Sequence, residues 1–141
     1  MKPRIIGVDL GTKTLGLAIS DRLGLAAHPL ETYRFARGDY QSAKKYLAAL
    51  AQKEGVTLIA IGYPLHMSGA ISERSESVLR FKMEFETEYP IIKLELIDER
   101  LTTVMAHKLM IGADMKASHR QQVIDSAAAV LILESYLQRS K

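Results

Sequence analysis

The chain contains no cysteine and no tryptophan. Without cysteine it can form no disulfide, no zinc–thiolate centre and no cysteine nucleophile, a usage that fits a reducing cytoplasm. Aromatic residues are few, three Phe and six Tyr, so a broad base-stacking platform is not indicated. Long apolar runs are missing too. The longest, residues 127–133, falls far short of the roughly 18 residues that a membrane span needs. Lys2 and Arg4 precede an apolar stretch that is short and broken by Asp9, so no signal peptide is expected. The four histidines, His28, His66, His107 and His119, show neither H-x-x-x-H nor H-E-x-x-H spacing, which argues against zinc. Charge of one sign is also lacking. Nineteen Lys and Arg against sixteen Asp and Glu leave +3, a mild excess that says little by itself about a polyanionic partner.

What remains is an ordinary globular composition, 48% hydrophobic and 25% charged, in 141 residues. That length suits a single domain, residues 1–141, able to bury roughly two-thirds of its unfolded surface. Residues 4–10 and 15–20 read as strands joined by a hairpin turn at Gly11, Thr12, Lys13 and Thr14. A third extended stretch over 25–35 carries Pro29 and suits an edge. The period then changes: Ala43, Leu47, Leu50 and Ala51 recur at helical spacing until Gly55. Residues 58–61 form a short apolar strand that feeds a loop at Gly62, Tyr63 and Pro64. A polar helix is expected over 70–88, with Val78, Leu79, Met83 and Phe85 inward, then a strand over 91–97. Thr102 or Thr103 can cap a helix that Gly112 closes, and Ser118 with Gln121 opens a last helix running to about Arg139. The order predicts a mixed α/β sheet, with an antiparallel hairpin on one side and parallel βαβ units on the other.

Three acids stand at the edges of apolar segments far apart in the chain: Asp9, Asp98 and Asp125. A lone buried carboxylate costs several kcal/mol, with ~20 kcal/mol as the idealised limit. Three of them suggest a shared counter-ion, and a divalent metal is the best candidate. If the first and last strands are parallel with one strand between, their ends lie ~10 Å apart, at about 4.8 Å per strand. That leaves room for metal ions ~4 Å apart. Each acid also has a plainer explanation. Asp9 could hydrogen-bond the glycine turn. Asp98 could pair with Arg100, a surface interaction contributing under ~1 kcal/mol. Asp125 could pair with Arg120 or Gln121, although it lies too deep to cap its helix. Only one of the neighbours Asp98 and Glu99 can point into a site from an extended segment. Asp98 is the choice here, with Glu99 behind it or as an additional ligand. Lys13 and Arg100 flank the acids and could hold phosphates, or be a solvated turn lysine and a partner for Glu99. Tyr63 could stack on a base; His66 reads as a surface residue.

At these residues the sequence resembles the YqgF family, RuvC-like proteins of RNase H fold described as Holliday-junction resolvases or pre-16S rRNA nucleases. The resemblance covers nearly the whole chain. It rests on GVDLGTKTLGLAISD (7–21), AHPL (27–30), GYPLHMSG (62–69), DERLTT (98–103) and VIDSAAAVLILESYL (123–137). It implies an RNase H-like sheet flanked by helices and a nuclease site at Asp9, Asp98 and Asp125 that holds Mg2+ or Mn2+. Thr14, Tyr63, His66, Gln121 and Gln122 depart from the family pattern, on the face expected to grip nucleic acid. Maturation of the 5′ end of pre-16S ribosomal RNA follows from the resemblance alone, with resolution of four-way DNA as the alternative. Resolution needs two active sites, and no dimer face can be read, which leaves a monomer or weak homodimer. Two other classes remain. An actin-like sugar kinase or ATPase would need a second domain around its nucleotide, and a non-catalytic RNA- or ribosome-binding module would not need all three acids.

Overall fold

The computed structural model describes residues 3–101 and 117–139, with side chains for 3–100 and 127–139. Chain order is β1 (Ile6–Leu10), β2 (Thr14–Ser20), β3 (Ala27–Arg34), α1 (Tyr40–Glu54), β4 (Leu58–Tyr63), α2 (Glu73–Glu88), β5 (Lys93–Asp98), a single 3-10 turn (Glu99–Leu101) and α3 (Ala117–Arg139). The helix expected between Thr102 and Gly112 lies outside the described residues.

Five strands form one sheet in the order β3-β2-β1-β4-β5. β1 pairs antiparallel with β2, and β2 with β3, whereas β1–β4 and β4–β5 are parallel. This is the mixed sheet the sequence predicts, with β4 between the strands that carry Asp9 and Asp98. Gly11 closes the hairpin by donating its N–H to the Thr14 carbonyl at 2.8 Å. β3 takes the edge, and Pro29 sits opposite Ala18 where the ladder shifts register.

Strand alternation divides the core between the two faces. Ile6, Val8 and Leu10 of β1, with Leu94 of β5, pack against α1 and α2. Gly7 faces the other way: a Cβ there would lie 2.6 Å from Leu133 Cβ and 2.7 Å from the Ala129 carbonyl oxygen. Only glycine lets α3 come this close to the central strand. Ala60 and Ile97 join Ala128 and Ile132 on that same face. With helices on both sides, β1 is buried along its whole length.

Asp39 caps α1 by accepting the Ser42 N–H, and Gly55 ends it at a φ of 68°. Two expectations for α2 change. It starts at Glu73, because Ser72 and Ser75 form a reciprocal capping box. Its inner face is Ser75, Val78, Phe81 and Phe85, while Leu79 is 36% and Met83 61% exposed. Phe81 and Phe85 decide the rotation, since each fully buried large apolar side chain contributes about 1.5–3 kcal/mol. They join a run of rings from Tyr40 to Tyr89. β5 starts at Lys93, two residues later than expected, and Ile91 is left exposed.

Candidate active site

Asp9, near the end of β1, and Asp98 with Glu99, at the end of β5, lie at the carboxyl ends of strands that flank β4. Asp9 lies on β1 with only 2% of its surface exposed. It shares strand parity with Gly7, so it belongs to the face that α3 covers. β1 and β4 run in register from Ile6↔Ile59 to Val8↔Ile61, and one step further sets Asp9 beside Gly62. Gly62 in turn pairs with Ile97 of β5.

Asp98 and Glu99 follow Ile97, and the fold treats them differently. Asp98 shares the parity of Leu94 and Leu96, which belong to the α1/α2 face. Its carboxylate is held by Arg100: Nη2 donates to Oδ2 at 2.7 Å, Nε to Oδ1 at 3.2 Å, and the backbone N–H to Oδ1 at 2.9 Å. Those hydrogen bonds hold its carboxyl below the usual carboxylate range. Glu99 turns the other way and is 3% exposed. A Cβ on Gly62 would lie 2.7 Å from Glu99 Oε2 and 2.6 Å from Ile132 Cδ1. The missing side chain of Gly62 is therefore the space into which the Glu99 carboxylate fits. Asp9 and Glu99 are both buried, and Gly62 lies beside each of them on the α3 side of the sheet.

Asp125 lies within α3, and its side chain is outside the described set. Its backbone position follows from the course of the helix. Tyr136 and Leu137 lie by Ile5 and Leu58, where β1 and β4 begin, and Ile132 lies against Gly62, near their ends. α3 therefore runs opposite to the parallel strands. Residue 125 precedes Ile132 by seven residues, about 10 Å along the axis towards the acids. Among the described residues no group of three metal-binding side chains assembles.

Lys13 is exposed at the hairpin tip, and its carbonyl accepts the Phe35 N–H at 2.9 Å. Arg100 also extends Nη1 to within 3.5 Å of the Met67 carbonyl oxygen, beneath the loop that follows β4. Two further residues shape this end of the sheet. Gly62 lies within β4, which runs on to Tyr63, whereas the sequence pattern predicts a loop from Gly62. Arg74 donates Nη2 to the Leu10 carbonyl at 2.9 Å and anchors α2 to the end of β1. No pattern in the sequence marks a side chain reaching a carbonyl 64 residues away.

A mixed sheet in this order, with acids at the carboxyl ends of its parallel strands, is the RNase H-like fold of the RuvC resolvases. The RuvC of Thermus thermophilus in complex with a Holliday junction substrate superposes with a TM-score of 0.59 at 13% identity, over 99% of this chain and 96% of that one. The Fowlpox virus resolvase with substrate Holliday junction DNA gives 0.55 at 11% identity, over 97% and 98%. At such identities the likeness is one of fold. The family is shown by sequence. A family model described as "RuvX: Holliday junction resolvase" matches residues 3–139, and the chain belongs to that family, the one its YqgF resemblance indicates. A Geobacillus kaustophilus protein is 44% identical over 136 residues, covering 95% of this chain and 96% of its own. One from Bacillus subtilis is 43% identical over 136 residues, with the same coverage. Both carry the name "Putative pre-16S rRNA nuclease". No helix among the described residues is long and apolar enough to cross a membrane.

Proposed function

We propose that the chain is a divalent-metal-dependent nuclease that hydrolyses phosphodiester bonds, acting in the cytoplasm on the 5′ end of pre-16S ribosomal RNA. The observation that carries this reading is the burial of Asp9 and Glu99 beside Gly62, on the face covered by the helix that bears Asp125. The donor set fits a hard cation. Carboxylate oxygens without Cys or His select Mg2+ or Mn2+ over softer metals. Asp9, Glu99 and Asp125 would hold the ions; the parity of Asp98 and its Arg100 pairing favour Glu99, just past the end of β5, over Asp98 as the ligand. Ions held there would supply an activated water and stabilise the leaving oxygen of the phosphodiester. Lys13, exposed at the hairpin tip, would position the substrate backbone through phosphate without reading its sequence. The names of the relatives favour RNA trimming, which a monomer or weak homodimer can perform. Four-way DNA would require two such sites together.

The test incubates the purified chain with Mn2+, an RNA carrying the 5′ extension, and four-way DNA, beside Asp9→Asn. Cleavage should require Mg2+ or Mn2+, leave a 5′-phosphate and fail with Ca2+. Asp9→Asn, Glu99→Gln and Asp125→Asn should each abolish it, and the losses should not add, because each dismantles the same site. Mn2+ should also raise the melting temperature by mass action, less in each of these variants. Metal-dependent ATP turnover with both nucleic acids intact would sink the proposal.

A further inference from the structure

We propose that Asp98 and Arg100 form a clamp that positions Glu99 and ties it to the 64–71 loop, so that Arg100 acts on the site through Glu99 and does not grip phosphate. This rests on the nuclease reading of Glu99. Three hydrogen bonds close a ring over three consecutive residues: Arg100 N–H and Nε to Asp98 Oδ1, and Nη2 to Oδ2. Glu99 is the middle residue. With its neighbours locked together on one side, its side chain is directed to the other, against Gly62.

The guanidinium has a second neighbour. Nη1 reaches the Met67 carbonyl oxygen, and a Cβ on Gly69 would lie only 3.1 Å from Nη1. Gly69 has a φ of 93°, a conformation that side chains rarely adopt, and the loop backbone lies close over the arginine there. The loop is itself a hydrogen-bonded unit. His66 N–H donates to the Ala70 carbonyl, Gly69 N–H to the His66 carbonyl, and Ser72 Oγ to the Pro64 carbonyl. Met67 and Ile71 point outward, 70% and 60% exposed. Arg100 thus joins a presented loop to the strand end that carries Glu99. Three of the five N–H donors of its planar fork are engaged by protein, a geometry that lysine cannot reproduce.

The test compares the full-length wild type with Arg100→Ala, Arg100→Lys, Asp98→Asn and the double variant Asp98→Asn/Arg100→Ala. Affinity for Mn2+ alone, read by thermal titration, should fall about tenfold in Arg100→Ala and Asp98→Asn, the usual loss when a group orienting a metal ligand is removed. The double variant should be no worse than either single one, and Arg100→Lys should recover only part of the loss. Cleavage should lose kcat with little change in KM. RNA binding in EDTA should keep the wild-type salt dependence. The tie to the loop is read without metal: amide exchange at residues 66–70 should quicken in Arg100→Ala and Asp98→Asn. A phosphate contact would give the opposite pattern, with Mn2+ affinity and kcat intact and a salt slope reduced by about 0.7–0.9. That result, additive losses, or unchanged loop exchange would overturn the clamp. A wild type that neither binds Mn2+ nor cleaves would overturn the nuclease reading instead, while loop exchange and salt slope still judge the role of Arg100.

Discussion

At the scale of single residues, the site depends on a side chain that is absent. Gly62 leaves the space that the Glu99 carboxylate fills, and the atoms a methyl group would strike there are Glu99 Oε2 and Ile132 Cδ1. Both are far ends of flexible side chains, so the fold can yield while the carboxylate cannot stay where it is. Gly62→Ala should therefore lower cleavage at least tenfold while costing stability only about 1 kcal/mol, at the low end of overpacking. Parallel melting curves and single-turnover rates check this. Full activity in a folded Gly62→Ala would mean that Glu99 works from another position. The same residues show why the sequence left Asp98 and Glu99 open. Parity separates them, but Leu96 and Ile97 are both apolar because β5 is covered on both faces, and the alternation that would show which neighbour faces α3 is hidden. Asp9 was easier to read, since its strand is short, apolar and followed by a glycine turn.

At the scale of elements, the placement of α3 decides whether its acid can reach the others. α3 touches β1 through Gly7, where an added Cβ would strike Leu133 Cβ and the Ala129 carbonyl oxygen. These atoms belong to the helix body and cannot rotate away. Gly7→Ala should therefore cost about 2–3 kcal/mol, the upper part of the overpacking range, and shift the whole helix. It should lower cleavage as well, because the helix bears Asp125. The contrast with Gly62→Ala is itself checkable by chemical denaturation: the residue further from the chemistry should be the more destabilising. If Gly7→Ala melts like wild type, α3 is not held at that distance from β1. Element order and strand pairing were legible in the sequence because turn glycines, Pro29 and the change from period two to helical spacing are local signals. The rotation of α2 was not. Leu79 and Met83 fit a helical stripe as well as Phe81 does, and the choice between them comes from packing across elements, such as the edge contact of Phe81 with Tyr40 of α1.

At the scale of the whole molecule, pH acts on ion pairs that link separate elements. Lys44 of α1 is 3% exposed and donates to Glu88 at 2.5 Å and Glu84 at 3.1 Å, both on α2. Burial alone would lower its pKa, but the hydrogen bonds with Glu88 and Glu84 outweigh burial and hold it above the ordinary 10.5. Glu88 is held below its ordinary 4.5 by Lys44 and Gln41. Burial pushes Glu86 up, but Lys82 and the Leu94 N–H more than offset this and leave it lowered. The signs follow by linkage. The depressed acids contribute stability that is complete above their unfolded values and is lost as pH falls through the lower folded ones. Lys44 contributes stability that is complete below 10.5 and is lost as pH rises through its raised value. Both losses fall outside the neutral range, so denaturant midpoints should be flat between about pH 6 and 9 with respect to these groups and decline on either side. Lys44→Met keeps the buried stem and removes the charge. It should lower stability by about 2 kcal/mol at pH 7, the scale of a hydrogen bond to a charged group. The alkaline decline should shrink with it, and cleavage should be untouched, because Lys44 lies on the face opposite Asp9 and Glu99. An alkaline decline that persists unchanged in Lys44→Met would place the titrating group elsewhere in the chain.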